Sequence, residues 1–169
     1  MGEKERLAAL AATNLLDSKP DERFDRLARL AANSLEAETA LVSLIDSDRQ
    51  WFKSRINLET QETSRDVSFC AHAIEGTDIM VVLDATKDER FRDNPLVTGS
   101  PHIRFYAGAP LITSQGHALG TLCVLDYKPR ETFDDTDREI LRDLADSVVG
   151  LIDKDEKLRE MSELSVINR

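Results

Sequence analysis

Two strand–turn–strand runs constrain this chain most. "TALVSLID", residues 39–46, is short, β-branched and apolar; turn residues Asp46-Ser47-Asp48-Arg49 follow, and then "QWFKSRI", residues 50–56. "IRFYAGAPLIT" and "ALGTLCVLD", residues 103–113 and 118–126, are joined by the turn "SQGH". Strands that follow one another across short turns pair antiparallel. The spacing therefore predicts an α+β chain: a central antiparallel sheet with helices on one face.

Helices flank these runs. Leu7, Leu10, Ala11 and Leu15 predict a helix over 3–16. "DSKPDE" interrupts it, with Ser18 as a cap and Pro20 in the first turn of a second helix, whose face is Phe24, Leu27, Ala28, Ala31 and Leu35 to about Glu36. "NLETQETSR" reads as a polar loop, "DVSFCAHAIEG" as a short helix capped by Gly76, and "IMVVLD" as a strand. The connection "ATKDERFRDNPLVTGSPH" has room for at most one helical turn, and loops of that length are functional or mobile. A long helix starts near Thr136, where Thr136 and Glu139 fit a capping box. Leu144, Leu151 and Leu158 recur every seven residues, as do Leu141 and Val148, before that series meets Asp155 and Ser162. This is a coiled-coil seam that weakens toward the end.

Composition excludes several classes of function. Of 169 residues 41 % are apolar, enough for one packed domain, and the net charge of −10 repels nucleic acid and anionic membranes. No apolar run approaches the roughly 20 residues of a membrane span, and "MGEKERLAALAATNLL" lacks a signal-peptide core. Two cysteines are too few for a disulfide framework, so the expected compartment is the cytoplasm.

Cys70 and His72 lie two residues apart, which invites a catalytic reading. On a helix capped by Ser68, each step rotates about 100°, so the thiol and imidazole point to different faces. Val67, Cys70, Ala71 and Ile74 share one face, and Phe69, His72 and Glu75 another. Cys70 is a buried packing residue, or a thiol whose pKa is lowered near a helix N-terminus. His72 lines a pocket or bonds a neighbouring strand or carboxylate. Cys70, His72, His102, His117 and Cys123 show no metal-ligand spacing, and no metal is expected.

"DRQWFKS", "SFCAHAI", "NPLV…P-x-IRFYAGAPL" and "G-x-LGTLCVLD" together resemble a GAF domain over roughly residues 5–155. More narrowly, they resemble the branch that precedes histidine kinase or diguanylate cyclase modules in prokaryotic signalling proteins. The resemblance implies N- and C-terminal helices packed together on one face of the sheet, a small-molecule pocket on the other, and homodimers through the terminal helices. It divides the chain into N-terminal helices at 1–36, a GAF core at 37–153 and a signalling-helix extension at 154–169. The tail "LREMSELSVINR" is similar to junctions after which such proteins continue, so the chain reads as a sensor fragment or a stand-alone sensory module.

Family activities can be tested on the residues. Bilin-binding members carry Cys followed directly by His; Ala71 intervenes here, and bilin attachment is not expected. Free methionine sulfoxide reductases carry a catalytic cysteine about where Phe105 stands. Of the cyclic-nucleotide signature, "DYKPRETFDDTDRE" keeps Lys128, Phe133 and Asp137, but has Tyr127 and Arg138 at two other signature positions, so that activity stays open.

The expected function is therefore a non-enzymatic sensory domain that binds an unidentified small molecule. Alternatives are a ligand-free dimerising spacer and a thiol redox module using Cys70, alone or with Cys123. Candidate ligand residues are Trp51 and Lys53 in "QWFKS"; Phe69 and His72; Asp84, Phe91 and Asn94 in the long loop; and Phe105 and Tyr106 in "IRFYAG". Strand alternation sends Phe105 and Tyr106 to opposite faces, and Phe52 away from Trp51 and Lys53.

Overall fold

The computed structural model describes residues 2–167. Helices α1 (Glu3–Ala12) and α2 (Glu22–Ser34) precede strands β1 (Thr39–Ile45), β2 (Arg49–Ile56) and β3 (Glu62–Ser64). After a 3₁₀ turn at Arg65–Val67 come α3 (Phe69–Ala73), β4 (Met80–Val82), a second 3₁₀ turn at Ala85–Lys87 and α4 (Pro95–Thr98). Strands β5 (Phe105–Ile112) and β6 (Ala118–Asp126) lead into α5 (Asp135–Ile167).

The 6-stranded sheet has the order β3-β2-β1-β6-β5-β4, and every neighbouring pair is antiparallel. The two hairpins meet at β1 and β6, which occupy the centre. Their sequences explain this placement. Every residue of β1 is buried, and β6 is buried from Leu119 onward. Near-continuous apolar strands need cover on both faces, which only central positions supply.

One face carries α2 and α5. Phe24, Ala28 and Ala31 of α2, with Leu141, Ala145, Val148 and Ile152 of α5, pack on Ala40, Val42, Leu44, Phe105, Ala107, Leu122 and Val124. The other face holds a smaller core of Leu41, Ile45, Phe52, Phe69, Cys70, Phe91, Tyr106, Cys123 and Leu125. Odd and even residues of β1 and β5, and of β6 from Leu122 onward, divide between the two cores, as period-2 strands require; Leu119, beside the register shift between β5 and β6, joins the helix-side core.

Several boundaries differ from expectation. Helix α1 stops at Ala12, not residue 16, because Asn14 and Asp17 take left-handed φ angles of 58° and 62°. Asp21 caps α2 by accepting from the Arg23 amide at 3.0 Å, so Ser18 and Pro20 lie outside the helix. The polar loop after β2 contains edge strand β3. Ser68 caps α3 as expected, its hydroxyl accepting from the Ala71 amide at 3.1 Å, but α3 ends after Ala73 and Gly76 is not left-handed. The long connection holds both a 3₁₀ turn and α4 rather than at most one helical turn. The box opening α5 is Asp134–Asp137, not Thr136–Glu139: Asp134 accepts from the Asp137 amide at 2.9 Å, and Asp137 from the Asp134 amide at 3.1 Å.

Past Ile152, α5 runs on with Leu158, Met161, Leu164 and Val166 exposed, while Leu144 and Leu151 are half-buried. The Arg159 guanidinium donates to the carbonyls of Thr13 (2.9 Å) and Ala12 (2.5 Å), satisfying groups that α1 leaves open at its end. Arg23 bridges Asp21 and Asp155. Residues 168–169 of the 154–169 extension lie outside the described residues. Among the described residues, no helix is long and apolar enough to cross a membrane.

Candidate functional site

A cavity of about 450 Å³ opens on the sheet face opposite α2 and α5. Its floor is Leu41 of β1, Gln50 and Phe52 of β2, Tyr106 of β5, and Cys123 and Leu125 of β6; Phe69 and Cys70 of α3 form one wall. Segments 57–63 and 96–103 close the sides. The walls are mainly apolar, with a few converging polar groups, which is the composition small-molecule sites use.

Beneath the cavity lies a polar network. The Gln50 side-chain carbonyl accepts from the hydroxyls of Ser43 and Ser68, each at 2.8 Å, and its amide donates to Thr63 at 3.0 Å. Ser68 thus caps α3 and ties it to β2. Two further hydroxyls converge on Cys70: Tyr106 donates to the sulfur at 3.1 Å and Thr121 at 3.0 Å. The Cys123 sulfur lies 3.8 Å from that of Cys70, and both thiols are free and buried. Gly108 makes this possible, since a Cβ there would collide with the Tyr106 phenol.

Burial opposes ionisation of Cys70, but hydrogen bonds from Cys123, Thr121 and Tyr106 outweigh it and lower the thiol to about 7. Burial and the contact with Cys70 push Cys123 upward. Burial and the neighbouring sulfurs likewise raise Tyr106, which stays a neutral donor.

The structure sorts the sequence candidates. Phe69, Tyr106, Cys70 and Cys123 border the cavity. Phe91 does not; it is fully buried behind Phe69, with stacked rings 4.0 Å apart. His72 is exposed and meets the Phe91 ring edge-on at 4.9 Å, outside the cavity. Trp51, Lys53 and Phe105 lie on the helix-covered face. The Lys53 ammonium donates to Ser18 and to the Lys19 carbonyl, and Phe105 packs beneath Arg130 and beside Phe133. Asp84 caps the 3₁₀ turn through Thr86; Asn94 caps α4 through the Leu96 amide and donates to the Val67 carbonyl. Both side chains hold the long loop in shape rather than face the cavity.

Sequence reasoning missed Leu41, Gln50, Phe52, Leu125 and segment 57–63. Alternation had already set Phe52 and Tyr106 apart from their strand neighbours.

The GAF-domain profile matches residues 19–152, most of the chain. The chain belongs to the GAF family. A cyclic di-GMP phosphodiesterase from Pseudomonas aeruginosa is 44% identical over 150 residues, which are 89% of this chain and 26% of that protein. The chain thus spans about a quarter of that relative's length. Two solved structures share the fold. The GAF domain of an Acinetobacter phosphoenolpyruvate-protein phosphotransferase has a TM-score of 0.63 at 18% identity, covering 91% of this chain and 95% of its own. The free methionine-R-sulfoxide reductase of Neisseria meningitidis, solved with its substrate, scores 0.65 at 19% identity, covering 92% and 90%.

Proposed function

We propose that this GAF domain is a non-enzymatic sensory module of a signal-transduction protein. It binds a small, largely apolar molecule in the cavity and signals through its terminal helices within a homodimer. The observation that carries this reading is the placement of cavity and helices on opposite faces of one sheet. Strands β1, β5 and β6 present alternate residues to both, so an occupant that moves the strands also moves the bed on which α2 and α5 pack. Signalling is then a shift between two helix packings.

The exposed Leu158, Met161 and Leu164, spaced by three along α5, supply an apolar stripe for a parallel partner helix. The Pseudomonas relative is named a cyclic di-GMP phosphodiesterase, which favours an output in second-messenger turnover. A histidine kinase or diguanylate cyclase output is the reading its motifs suggest.

Native mass spectrometry of protein purified without added ligand tests this reading. The expected species is a dimer carrying an added mass that denaturation releases and that Leu125→Trp, which fills the cavity, abolishes. A monomer, or an added mass that survives Leu125→Trp, overturns it. A dimer that carries nothing, and that no member of a metabolite panel stabilises, is a ligand-free spacer.

A further inference from the structure

The polar chemistry of the cavity converges on sulfur. Cys70 and Cys123 are 53 residues apart in sequence, yet their sulfurs are 3.8 Å apart and both border the cavity. Two hydroxyl donors, Tyr106 and Thr121, point at one of the two sulfurs. A thiol that merely fills space needs no such donors, whereas a thiolate in a dry site does. We propose that Cys70 and Cys123 are a redox-active pair, and that a small hydroperoxide entering the cavity oxidises them to a disulfide. This goes beyond the ligand reading and does not depend on it.

The steps balance. The Cys70 thiolate attacks the distal oxygen of the hydroperoxide; a sulfur–oxygen bond forms, the oxygen–oxygen bond breaks, and the departing alkoxide takes the proton that Cys70 released. The products are a Cys70 sulfenic acid and an alcohol, or water from hydrogen peroxide. Cys123 sulfur then attacks the Cys70 sulfur, and the displaced hydroxide leaves as water with the Cys123 proton. In total, two thiols lose two electrons and two protons, and the peroxide is reduced to alcohol and water.

The geometry assigns the order. Cys70 receives the hydroxyl hydrogen bonds, so it carries the charge and attacks first. Two adjacent sulfurs do not both ionise readily, so Cys123 holds its proton until Cys70 becomes the neutral sulfenic acid. The sulfurs must approach from 3.8 Å to about 2.05 Å to bond. Cys123 is fixed between β1 and β5 in the middle of the sheet, whereas Cys70 rides on the five-residue α3. Oxidation therefore draws α3 onto the sheet and narrows the cavity. Size chooses the oxidant class: an apolar-walled space of about 450 Å³ admits a small peroxide but not a bulky peptide disulfide.

The test treats the reduced chain with hydrogen peroxide, blocks remaining thiols with an alkylating reagent, and measures intact mass without reductant. The wild type is expected to lose about 2 mass units as an intramolecular disulfide. Cys123→Ser is expected to stop at a sulfenic acid that dimedone traps, and Cys70→Ser to remain unmodified. Native wild-type chain is also expected to oxidise at least about ten-fold faster than the urea-unfolded chain, a comparison that needs no variant. Thiols that stay free, a native rate equal to or below the unfolded one, a bond between chains only, or unchanged oxidation in Cys70→Ser overturns the proposal.

Discussion

Tyr106 donates its phenolic hydrogen to the Cys70 sulfur at 3.1 Å, from a strand position opposite the one Phe105 takes on the helix-covered face. That bond favours the thiolate over the thiol. Tyr106→Phe keeps the ring and removes the donor, so the Cys70 thiol moves upward from about 7. Thiolate ultraviolet absorbance, titrated in a Cys123→Ser background, reads the shift. The stability cost is about 1 kcal/mol. An unchanged titration would show that Tyr106 does not tune Cys70.

The reciprocal contact of Asp134 and Asp137 makes a prediction that separates the structure from the sequence pattern. Asp134→Ala removes the acceptor of the Asp137 amide and lowers stability by about 1 kcal/mol. Thr136→Ala, at the position the capping-box pattern indicates, changes stability by less than about 0.5 kcal/mol. Urea denaturation of the two variants checks both values, and the reverse ranking would restore the Thr136–Glu139 box.

These residues show what was legible in the sequence. The hairpins were, because turn chemistry separates period-2 runs, and so was the division of each strand into two sets of residues. Which set faces the cavity was not. Alternation fixes that Phe52 opposes Trp51 and Lys53, but only the packing of α2 and α5 decides which face is covered. Trp51, Lys53 and Phe105 therefore moved together to the helix side. Asp84 and Asn94 look like ligand residues because the short polar side chains that reach a ligand also cap turns, and capping is what they do here. The Cys70–Cys123 contact left no local trace, since it depends on α3 packing against the central strand β6.

Lys53 gives a pH dependence. Burial lowers its pKa below the ordinary 10.5 despite the nearby carboxylates of Asp21 and Asp25. The unfolded chain therefore binds the extra proton in the window between the lowered value and 10.5, and this group makes stability rise with pH there. Lys53→Met removes that rise and loses the hydrogen bonds to Ser18 and Lys19, costing about 1–2 kcal/mol at neutral pH. Denaturant midpoints of both proteins against pH test this: the wild type's advantage should widen as pH climbs toward 10.5. Parallel curves would mean that Lys53 does not titrate differently on folding.

The α5 extension offers the last prediction. Arg159 anchors α5 to the carbonyl end of α1, and the Arg23–Asp155 bridge anchors it to the start of α2, so the apolar stripe beginning at Leu158 is held at a fixed angle to the sheet. Arg159→Ala leaves the α1 carbonyls to water and costs about 1 kcal/mol, with faster amide exchange at the end of α1 and along residues 154–166. If the stripe pairs with a second copy, a chain ending at Asp153 sediments as a monomer while the full chain sediments as a dimer. Arg159→Ala dimerises more weakly, because each copy must then order the helix on association. Analytical ultracentrifugation of the three chains over a concentration series decides it. Monomers throughout would remove the terminal-helix dimer, and a dimer that persists without residues 154–169 would place the interface on α1, α2, the rest of α5 or the sheet edges.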